Sequence, residues 1–194
     1  MAKLYFYYAS MNAGKSTTLL QASFNYRERG MDTMLFTAAV DDRYRPGVIT
    51  SRIGLESPAH VFGPDTDLYA AIAARHGEAR LACVLVDEAQ FLTRAQVFAL
   101  AAVADELGVP VLAYGLRTDF RAELFEGSAH LLAIADELIE LKAVCECGRK
   151  ATMNMRIDAA GRPVIDGAQT EIGGNDRYVA LCRRHFMARA RAAG

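Results

Sequence analysis

The strongest local signal in this 194-residue chain is the stretch Ala9-Ser10-Met11-Asn12-Ala13-Gly14-Lys15-Ser16-Thr17. It follows a short aromatic run that predicts a strand, and it opens a pattern that predicts a helix. This strand–loop–helix order is the context of a phosphate-binding loop. The first glycine of the usual G-x-x-x-x-G-K-S/T pattern is Ala9 here, so the alternative is a helix N-terminus that contains Gly-Lys-Ser by chance. The order of the elements favours the phosphate loop.

Each part of this loop has a predicted task in binding a nucleotide. Backbone N–H groups between Ala9 and Thr17 are expected to bind phosphate oxygens, helped by the dipole of the following helix. Gly14 allows the backbone to approach closely, and Lys15 is expected to reach the β- and γ-phosphates. The Ser16 hydroxyl is expected to ligate Mg²⁺.

A second motif, Asp87-Glu88-Ala89-Gln90, follows an apolar run and predicts two acids at the end of a strand. In phosphate-loop proteins an acid at this position holds Mg²⁺, and the next acid can polarise a nucleophile. The motif alone is weak evidence, because exposed strand ends often carry acids. Combined with the loop on an earlier strand, it predicts that both motifs meet at the carboxyl edge of one sheet, where ligands bind in such folds.

The first 140 residues alternate short apolar runs with helical patterns, which predicts an α/β fold of the P-loop (RecA-like) type. We expect a parallel sheet flanked by helices. The predicted strands are Leu4–Tyr8, Thr33–Ala39, Leu81–Asp87 and Val109–Gly115, and the predicted helices are Lys15–Arg29, Asp67–His76 (ending at Gly77) and Arg94–Leu107.

Cysteines, glycines and turn signals dominate from about residue 143, so we divide the chain into a P-loop domain, 1–142, and a small zinc-ribbon-like lobe, 143–194. Cys145-x-Cys147 and Cys182-x-x-His185 supply three thiolates and an imidazole, a closed set that predicts a structural zinc site. The alternative is three unrelated core cysteines and a surface histidine. Residues 154–169 are expected to form a loop or loose hairpin across the lobe, and 187–194 a frayed helix.

The formal net charge of −1 argues against a broad grip on nucleic acid or on an anionic membrane. No apolar run is long enough to span a bilayer, and the first residues lack the features of a signal peptide, so we expect a cytoplasmic protein. A GTPase would carry Asn-Lys-x-Asp, which is missing. Two alternatives stay open beside a kinase: an ATP-driven nucleic-acid-binding ATPase, and a zinc-stabilised nucleotide-binding module without catalysis.

Several pieces, spread from Leu4 to about Phe186, together resemble the zinc-containing, tetrameric (type II) thymidine kinases. These pieces are Met11-Asn12-Ala13-Gly14-Lys15-Ser16-Thr17, Asp42-Arg43-Tyr44, Val86-Asp87-Glu88-Ala89-Gln90-Phe91, Tyr114-Gly115-Leu116-Arg117-Thr118-Asp119-Phe120, Cys145-x-Cys147-Gly148 and Ile172-Gly173-Gly174-Asn175. The resemblance implies transfer of the γ-phosphate of ATP to the 5′-hydroxyl of thymidine, and also of deoxyuridine, in pyrimidine salvage. It further implies a homotetramer and feedback inhibition by thymidine triphosphate (dTTP).

The resemblance also implies roles for single residues. Glu88 is the expected general base, Lys15 steadies the transferring phosphoryl group, and Asp87 with Ser16 manages Mg²⁺. Gln90 serves the base pocket or the nucleotide edge, and a lasso loop closes over thymine through backbone hydrogen bonds. The implied substrate-binding residues are Met11, Asp41, Arg43, Gln90, Phe91, Leu116, Phe120, Ile172, Gly173 and Tyr178. From the sequence without the resemblance, a place in the core is the favoured interpretation for each of Met11, Phe91, Leu116 and Phe120. Asp41 and Arg43 could likewise be a surface charge cluster.

The chain departs from the family pattern at two places. Many members have a His-Asp pair where this sequence has Ser51-Arg52-Ile53-Gly54, which leaves the role of Arg52 open. The fourth zinc ligand is often a cysteine and is His185 here, a residue that ligates zinc equally well.

Overall fold

A six-stranded parallel sheet forms the centre of the molecule, in a computed structural model that describes residues 1–40, 45–170 and 177–193. Its strands are β1 (Leu4–Ala9), β2 (Asp32–Ala38), β5 (His60–Phe62), β6 (Leu81–Val86), β7 (Val111–Leu116) and β8 (Glu137–Glu140). They lie in the order β5-β2-β6-β7-β1-β8. An antiparallel hairpin of β3 (Val48–Thr50) and β4 (Glu56–Pro58) lies between β2 and β5 in the chain. The predicted α/β fold with a parallel sheet is confirmed.

Helices cover both faces of the sheet. They are α1 (Lys15–Glu28), α2 (Leu68–Glu78), α3 (Arg94–Glu106) and α4 (Glu126–Ile134), with a short 3-10 helix at Ala89–Phe91. The last helix, α5 (Arg183–Ala193), packs against the C-terminal strands instead. The strand residues alternate between two apolar clusters, as the two-residue period of a strand requires. Phe6 and Val84 pack with α2, α3 and α4 on one face, whereas Leu85 and Leu112 pack with α1 on the other.

Most predicted boundaries differ from the structure by one residue, and two of the differences have clear local reasons. Helix α2 runs through Gly77 to Glu78, and Ala79 closes its last turn by donating its N–H to the Arg75 carbonyl at 3.0 Å. Gly77 is therefore a helical residue and not the stop that the sequence suggested. Strand β7 starts at Val111 and not at Val109, because Pro110 has no N–H to give to a ladder.

The C-terminal part, from residue 143 onward, is a set of short antiparallel strands and one helix. Strands β9 (Ala143–Val144) and β10 (Lys150–Ala151) form a small ladder around the Cys145–Cys147 turn. Strands β11 (Met153–Ile157), β12 (Pro163–Val164) and β13 (Tyr178–Leu181) form a second sheet in the order β12-β11-β13. Of the loop or loose hairpin expected over 154–169, the structure shows a hairpin that pairs Arg156 and Ile157 with Val164 and Pro163 and turns between Asp158 and Arg162. Helix α5 starts four residues before the predicted frayed helix.

Sequence reasoning missed strands β5 and β8 of the central sheet, the β3–β4 hairpin, helix α4 and the pairing of β11 with β13. Within the described ranges, no helix combines the length and the apolar character needed to cross a membrane.

Candidate active site

The phosphate loop connects the end of β1 to the start of α1 through two left-handed residues. Asn12 has a φ of 64° and Gly14 a φ of 77°, a conformation that glycine adopts without steric cost. The carbonyl of Gly14 accepts the first helical hydrogen bond, from the N–H of Thr18 at 2.9 Å. Lys15 is buried, and its Nζ donates to the Ser10 carbonyl at 3.2 Å. The lysine therefore reaches back across the loop that precedes it.

The two acids after β6 lie next to this loop, as the sequence predicted. The Ser16 hydroxyl donates to Asp87 Oδ2 at 2.8 Å, and the Glu88 N–H donates to Asp87 Oδ1 at 3.0 Å. Both carboxylates are buried. Burial, together with the charge of Glu88, raises the pKa of Asp87 to about 7. A hydroxyl and two carboxylates packed in one place, with their charge poorly solvated, form a donor set that fits a hard divalent cation such as Mg²⁺.

Glu88 itself has an unusual backbone conformation. Its φ of 53° and ψ of 38° are left-handed, a region that costs a non-glycine residue free energy. The 3-10 helix at Ala89–Phe91 follows immediately and redirects the chain under the end of β7. Unfavourable backbone conformations of this kind cluster at ligand-binding sites, and Glu88 lies at the end of the strand beside the phosphate loop.

Gln90 fixes the direction of the Glu88 carboxylate. Its Nε2 donates to Glu88 Oε2 at 2.5 Å, while its Oε1 accepts the N–H of Leu116 at 3.0 Å. The amide thus connects the acid to the end of β7. Sequence reasoning assigned Gln90 to the base pocket or the nucleotide edge, and the structure shows this support of Glu88 in addition.

Two glycines make room for the turn that carries Gln90. A Cβ on Gly115 would lie 2.9 Å from the backbone nitrogen of Gln90, and one on Gly127 would lie 2.4 Å from the Ala89 carbonyl oxygen. A glycine inside a strand is a signal of close backbone approach, so Gly115 was recognisable from the sequence. Gly127 lies inside α4, where the sequence gives no such cue.

A cavity of about 250 Å³ opens between the phosphate loop, the β3–β4 hairpin and the ends of β6 and β7. The residues around it include Met11, Asn12, Gly14, Lys15, Ser16, Thr17, Thr37, Val48, Ile49, Thr50, Ser51, Arg52, Ile53, Asp87, Glu88 and Leu116. The structure therefore brings the phosphate loop and both acids to one opening, and it places Arg52 on the same wall.

An apolar cluster borders this cavity and contains four of the predicted substrate-binding residues. Met11, Phe120 and Tyr178 are buried together, and Leu116 packs against them. Phe91 contacts the main core and packs edge-on against Phe125 with ring centroids 5.9 Å apart. The structure thus groups all the predicted apolar pocket residues among the described ranges except Phe91. Asp41, Arg43, Ile172 and Gly173 lie outside the described residues.

The C-terminal part reaches the phosphate loop through β11, a contact that the sequence did not reveal. Asn154 is buried, and its Oδ1 accepts the N–H of Met11 at 2.7 Å while its Nδ2 donates to the Thr118 carbonyl at 3.0 Å. The Ser10 hydroxyl donates to the Ala151 carbonyl at 3.3 Å. One side chain from the C-terminal part therefore spans the ends of β1 and β7. A single asparagine in a short strand carries no sequence signal for this role.

The four predicted zinc ligands converge. Their donor atoms all lie within 4.8 Å of one another, with Cys147 Sγ 3.8 Å from Cys182 Sγ and Cys145 Sγ 3.4 Å from His185 Nδ1. Zinc–sulfur bonds of about 2.3 Å at tetrahedral angles place two sulfurs about 3.8 Å apart, so the spacing fits the metal. Burial opposes ionisation of the Cys145 thiol, but N–H groups of Cys147 and Cys182 and the His185 ring outweigh it and lower its pKa to about 6. The cluster is a Cys₃His site suited to zinc.

Comparison with known proteins settles the family. The thymidine kinase family model matches residues 2–186. The chain belongs to the thymidine kinase family. A thymidine kinase of Novosphingobium aromaticivorans is 72% identical over 186 residues, covering 96% of this chain and 97% of the relative. The thymidine kinases of Zymomonas mobilis and Vibrio parahaemolyticus are 66% and 60% identical, each over 96% of this chain and 97% of their own length.

Membership in the thymidine kinase family gives the enzyme class, an ATP-dependent nucleoside kinase. The phosphate loop, the acid pair and the Cys₃His cluster are thus parts of one kinase. The nucleic-acid-binding ATPase and the non-catalytic module lose their support, because the match covers almost the whole chain and not the phosphate loop alone.

Proposed function

We propose that this chain transfers the γ-phosphate of ATP to the 5′-hydroxyl of thymidine and so produces thymidine monophosphate. The observation that carries the proposal is the buried Ser16–Asp87–Glu88 arrangement beside the cavity, since it supplies a metal-binding pair and a base next to a phosphate loop. The acceptor comes from the relatives named thymidine kinase.

Glu88 is the proposed general base, which takes the proton of the 5′-hydroxyl as the phosphoryl group arrives. Gln90 orients its carboxylate through a hydrogen bond, and Glu88 lines the cavity. Lys15 steadies the transferring phosphoryl group, and residues 9–17 with 87–90 bind the phosphates of ATP. Ser16 and Asp87 are the residues that would hold Mg²⁺, whose charge neutralises the phosphate oxygens when it is bound. Positioning and charge stabilisation are sufficient for this reaction.

The acceptor pocket is proposed to be the apolar cluster of Met11, Leu116, Phe120 and Tyr178. An apolar pocket with a few fixed polar groups suits a pyrimidine ring. Deoxyuridine lacks one methyl group and should be phosphorylated with an efficiency lower by a factor of about 10 to 200. Phe91, Gln90, Asp41, Arg43, Ile172 and Gly173 complete the proposed acceptor site.

Further features of the proposal come from the family resemblance. Zinc at Cys145, Cys147, Cys182 and His185 is structural, because four protein ligands leave no open position. The division into a kinase domain, 1–142, and a zinc lobe, 143–194, is part of the same proposal. The proposal also includes a homotetramer, inhibition by dTTP, and a role in nucleotide salvage in the cytoplasm. Light scattering tests the tetramer, and titration of activity with dTTP tests the inhibition.

The deciding experiment is an ADP-release assay with Mg²⁺-ATP, in which thymidine, the other deoxynucleosides and single-stranded DNA are compared as partners. ADP release that depends on thymidine is the expected result, and identification of thymidine monophosphate by mass completes it. Release that responds only to DNA would overturn the proposal.

Replacement of Glu88 tests its role as the base. Glu88→Gln should lower the turnover number by a factor of about 10² to 10⁴, the usual contribution of a general base, while thymidine still binds. Turnover is measured by ADP release and binding by calorimetry. Glu78→Gln, an exposed change at the end of α2, is the matched control. Near-normal turnover of the Glu88 variant would remove this residue as the base.

A further inference from the structure

Arg156 is a buried arginine on β11, with 4% of its surface exposed. Its Nε donates to the Tyr178 hydroxyl at 3.1 Å, and its Nη2 donates to the same oxygen at 2.9 Å. Its guanidinium carbon lies 3.8 Å from the centroid of the Phe120 ring. A buried cation is costly unless its surroundings replace water, and these contacts do so with a hydroxyl and an aromatic face.

The same guanidinium holds the chain that follows β12. Nη2 donates to the Ala168 carbonyl at 3.0 Å and lies 3.4 Å from the Gln169 carbonyl. Gly167, with a φ of 126°, lies so close that a Cβ there would be 3.3 Å from Nη1. Arginine suits this place because its planar fork can donate in several directions while its face stacks on a ring.

A second contact ties the same segment to the turn after β7. The Gln169 side chain donates to Asp119 Oδ2 at 3.3 Å. Asp119 is itself held by the N–H groups of Arg121 and Glu123, at 2.8 and 2.9 Å. Arg156 therefore lies at the junction of three segments: the turn that carries Phe120, residues 167–169, and the strand that carries Tyr178.

We propose that Arg156 is a positioning residue for the nucleoside acceptor, which acts by holding Phe120 and Tyr178 in place as walls of the base pocket. This inference rests on the proposed function, because it takes the cluster of these two residues with Met11 as the acceptor pocket. The contacts described for Arg156 are with Phe120 and Tyr178 and with residues 167–169. Its loss should weaken acceptor binding in the ground state and the transition state equally, which raises KM and leaves kcat unchanged.

The test is steady-state kinetics of Arg156→Lys, which keeps the positive charge and removes the planar guanidinium group with its several N–H donors. The KM for thymidine should rise by a factor of about 10 or more, as expected for the loss of a charge-assisted hydrogen bond. The kcat and the KM for ATP should stay within about twofold of the wild type, since uniform binding is all that is lost. Arg162→Lys, an exposed change on the same hairpin, is the matched control. Zinc content and melting temperature are recorded to verify the fold.

A second variant isolates the contact. Tyr178→Phe removes only the hydroxyl that accepts from Arg156, and it should raise the KM for thymidine by about tenfold, because a hydrogen bond from a charged guanidinium is lost. In the double variant the two effects should be clearly less than multiplicative, because both remove the same contact. If Arg156→Lys fails to fold, Tyr178→Phe decides alone.

Three results would overturn the inference: an unchanged KM for thymidine in a folded variant, a fall in kcat without a change in KM, or an equal rise in the KM values of thymidine and ATP. Failure of the proposed function is seen separately, because wild-type enzyme would then show no thymidine-dependent ADP release before any variant is made.

Discussion

The sheet and the cysteine-bearing C-terminal part reach their folded states by different means. The sheet encloses large, fully buried side chains such as Phe6, Phe36 and Leu100 on one face. The core of the C-terminal part is small and includes Ala143, Ala151 and two of the cysteines. Burial of apolar area can stabilise the first, but a core of that size rarely stabilises a fold without a metal or a disulfide. We therefore expect the sheet to supply rigidity and the C-terminal part to depend on zinc bound at its Cys₃His cluster.

The two regions also contribute different kinds of residue to the candidate site. The phosphate loop, Asp87 and Glu88 all belong to the sheet, whereas Asn154, Arg156 and Tyr178 belong to the C-terminal part. Yet Asn154 binds the loop backbone, so the two regions meet within the site. The phosphate loop, which belongs to the sheet, is thus supported by the C-terminal part, whose own apolar core is much smaller.

Loss of zinc should have the largest effect on stability and activity. It tests most directly whether the sheet and the C-terminal part are stabilised by different means. In Cys182→Ser, metal-binding free energy on the order of 10 kcal/mol is lost or much reduced, so the C-terminal part should unfold while the sheet survives. Activity should fall below detection, because the loop loses Asn154 and the proposed acceptor pocket loses Tyr178 at the same time. Limited proteolysis should cut within 143–193 and leave a fragment close to 1–142.

The control for this variant is Cys83→Ala, which changes the buried cysteine of the sheet and should keep one zinc per chain. Cooperative unfolding of the whole chain in Cys182→Ser, or a C-terminal part that still resists protease, would contradict the separation of the two regions.

Replacement of Asn154 tests the contact between the regions at a smaller scale. Asn154→Ala leaves the Met11 N–H and the Thr118 carbonyl without their partner, which should cost about 2–4 kcal/mol of unfolding free energy. The KM for ATP should rise as well, since the loop loses its support. Urea unfolding and ATP kinetics measure the two effects, with the exposed Asn25→Ala on α1 as control. Unchanged ATP kinetics would show that the loop holds its shape without the Asn154 side chain.

The smallest expected effect is a pH dependence of the unfolding free energy, caused by the buried Asp87 carboxylate at the end of β6. It tests whether burial in the sheet region penalises this charge. The pKa of Asp87 is about 7 in the folded chain, above its ordinary 3.8, so its contribution to stability is full below pH 3.8 and is lost as the pH rises through 7. Asp87→Asn cannot ionise. It should therefore exceed the wild type in unfolding free energy by about 1 kcal/mol or more at pH 8, and by less at pH 5.

Urea unfolding in magnesium-free buffer at both pH values measures this difference, and Asp65→Asn at an exposed turn controls for the change of charge. A stability difference that stays constant or narrows with rising pH would show that burial does not penalise the Asp87 carboxylate.

The parts of this fold that were predictable are those with strong local signals. The strand before Gly14, the acid pair after β6 and the C-x-C and C-x-x-H motifs each have a spacing that chemistry imposes. Strand β8 was missed because Glu137–Glu140 lies at the sheet edge with two acids, so it lacks an apolar run. Asn154 and Arg156 were missed because their partners are 36 or more residues away, or across a strand pair, and no local pattern marks such contacts.

The left-handed backbone at Glu88 has a consequence for anyone who engineers this protein for heat resistance. A selection for melting temperature alone would favour glycine at position 88, because glycine relieves both the unfavourable φ and the crowding of two buried carboxylates. With Glu88 as the proposed base, the resulting protein would melt at a higher temperature but turn over its substrate far more slowly. Thermostability screens should therefore be coupled to a turnover measurement at every round, with position 88 held constant in the library.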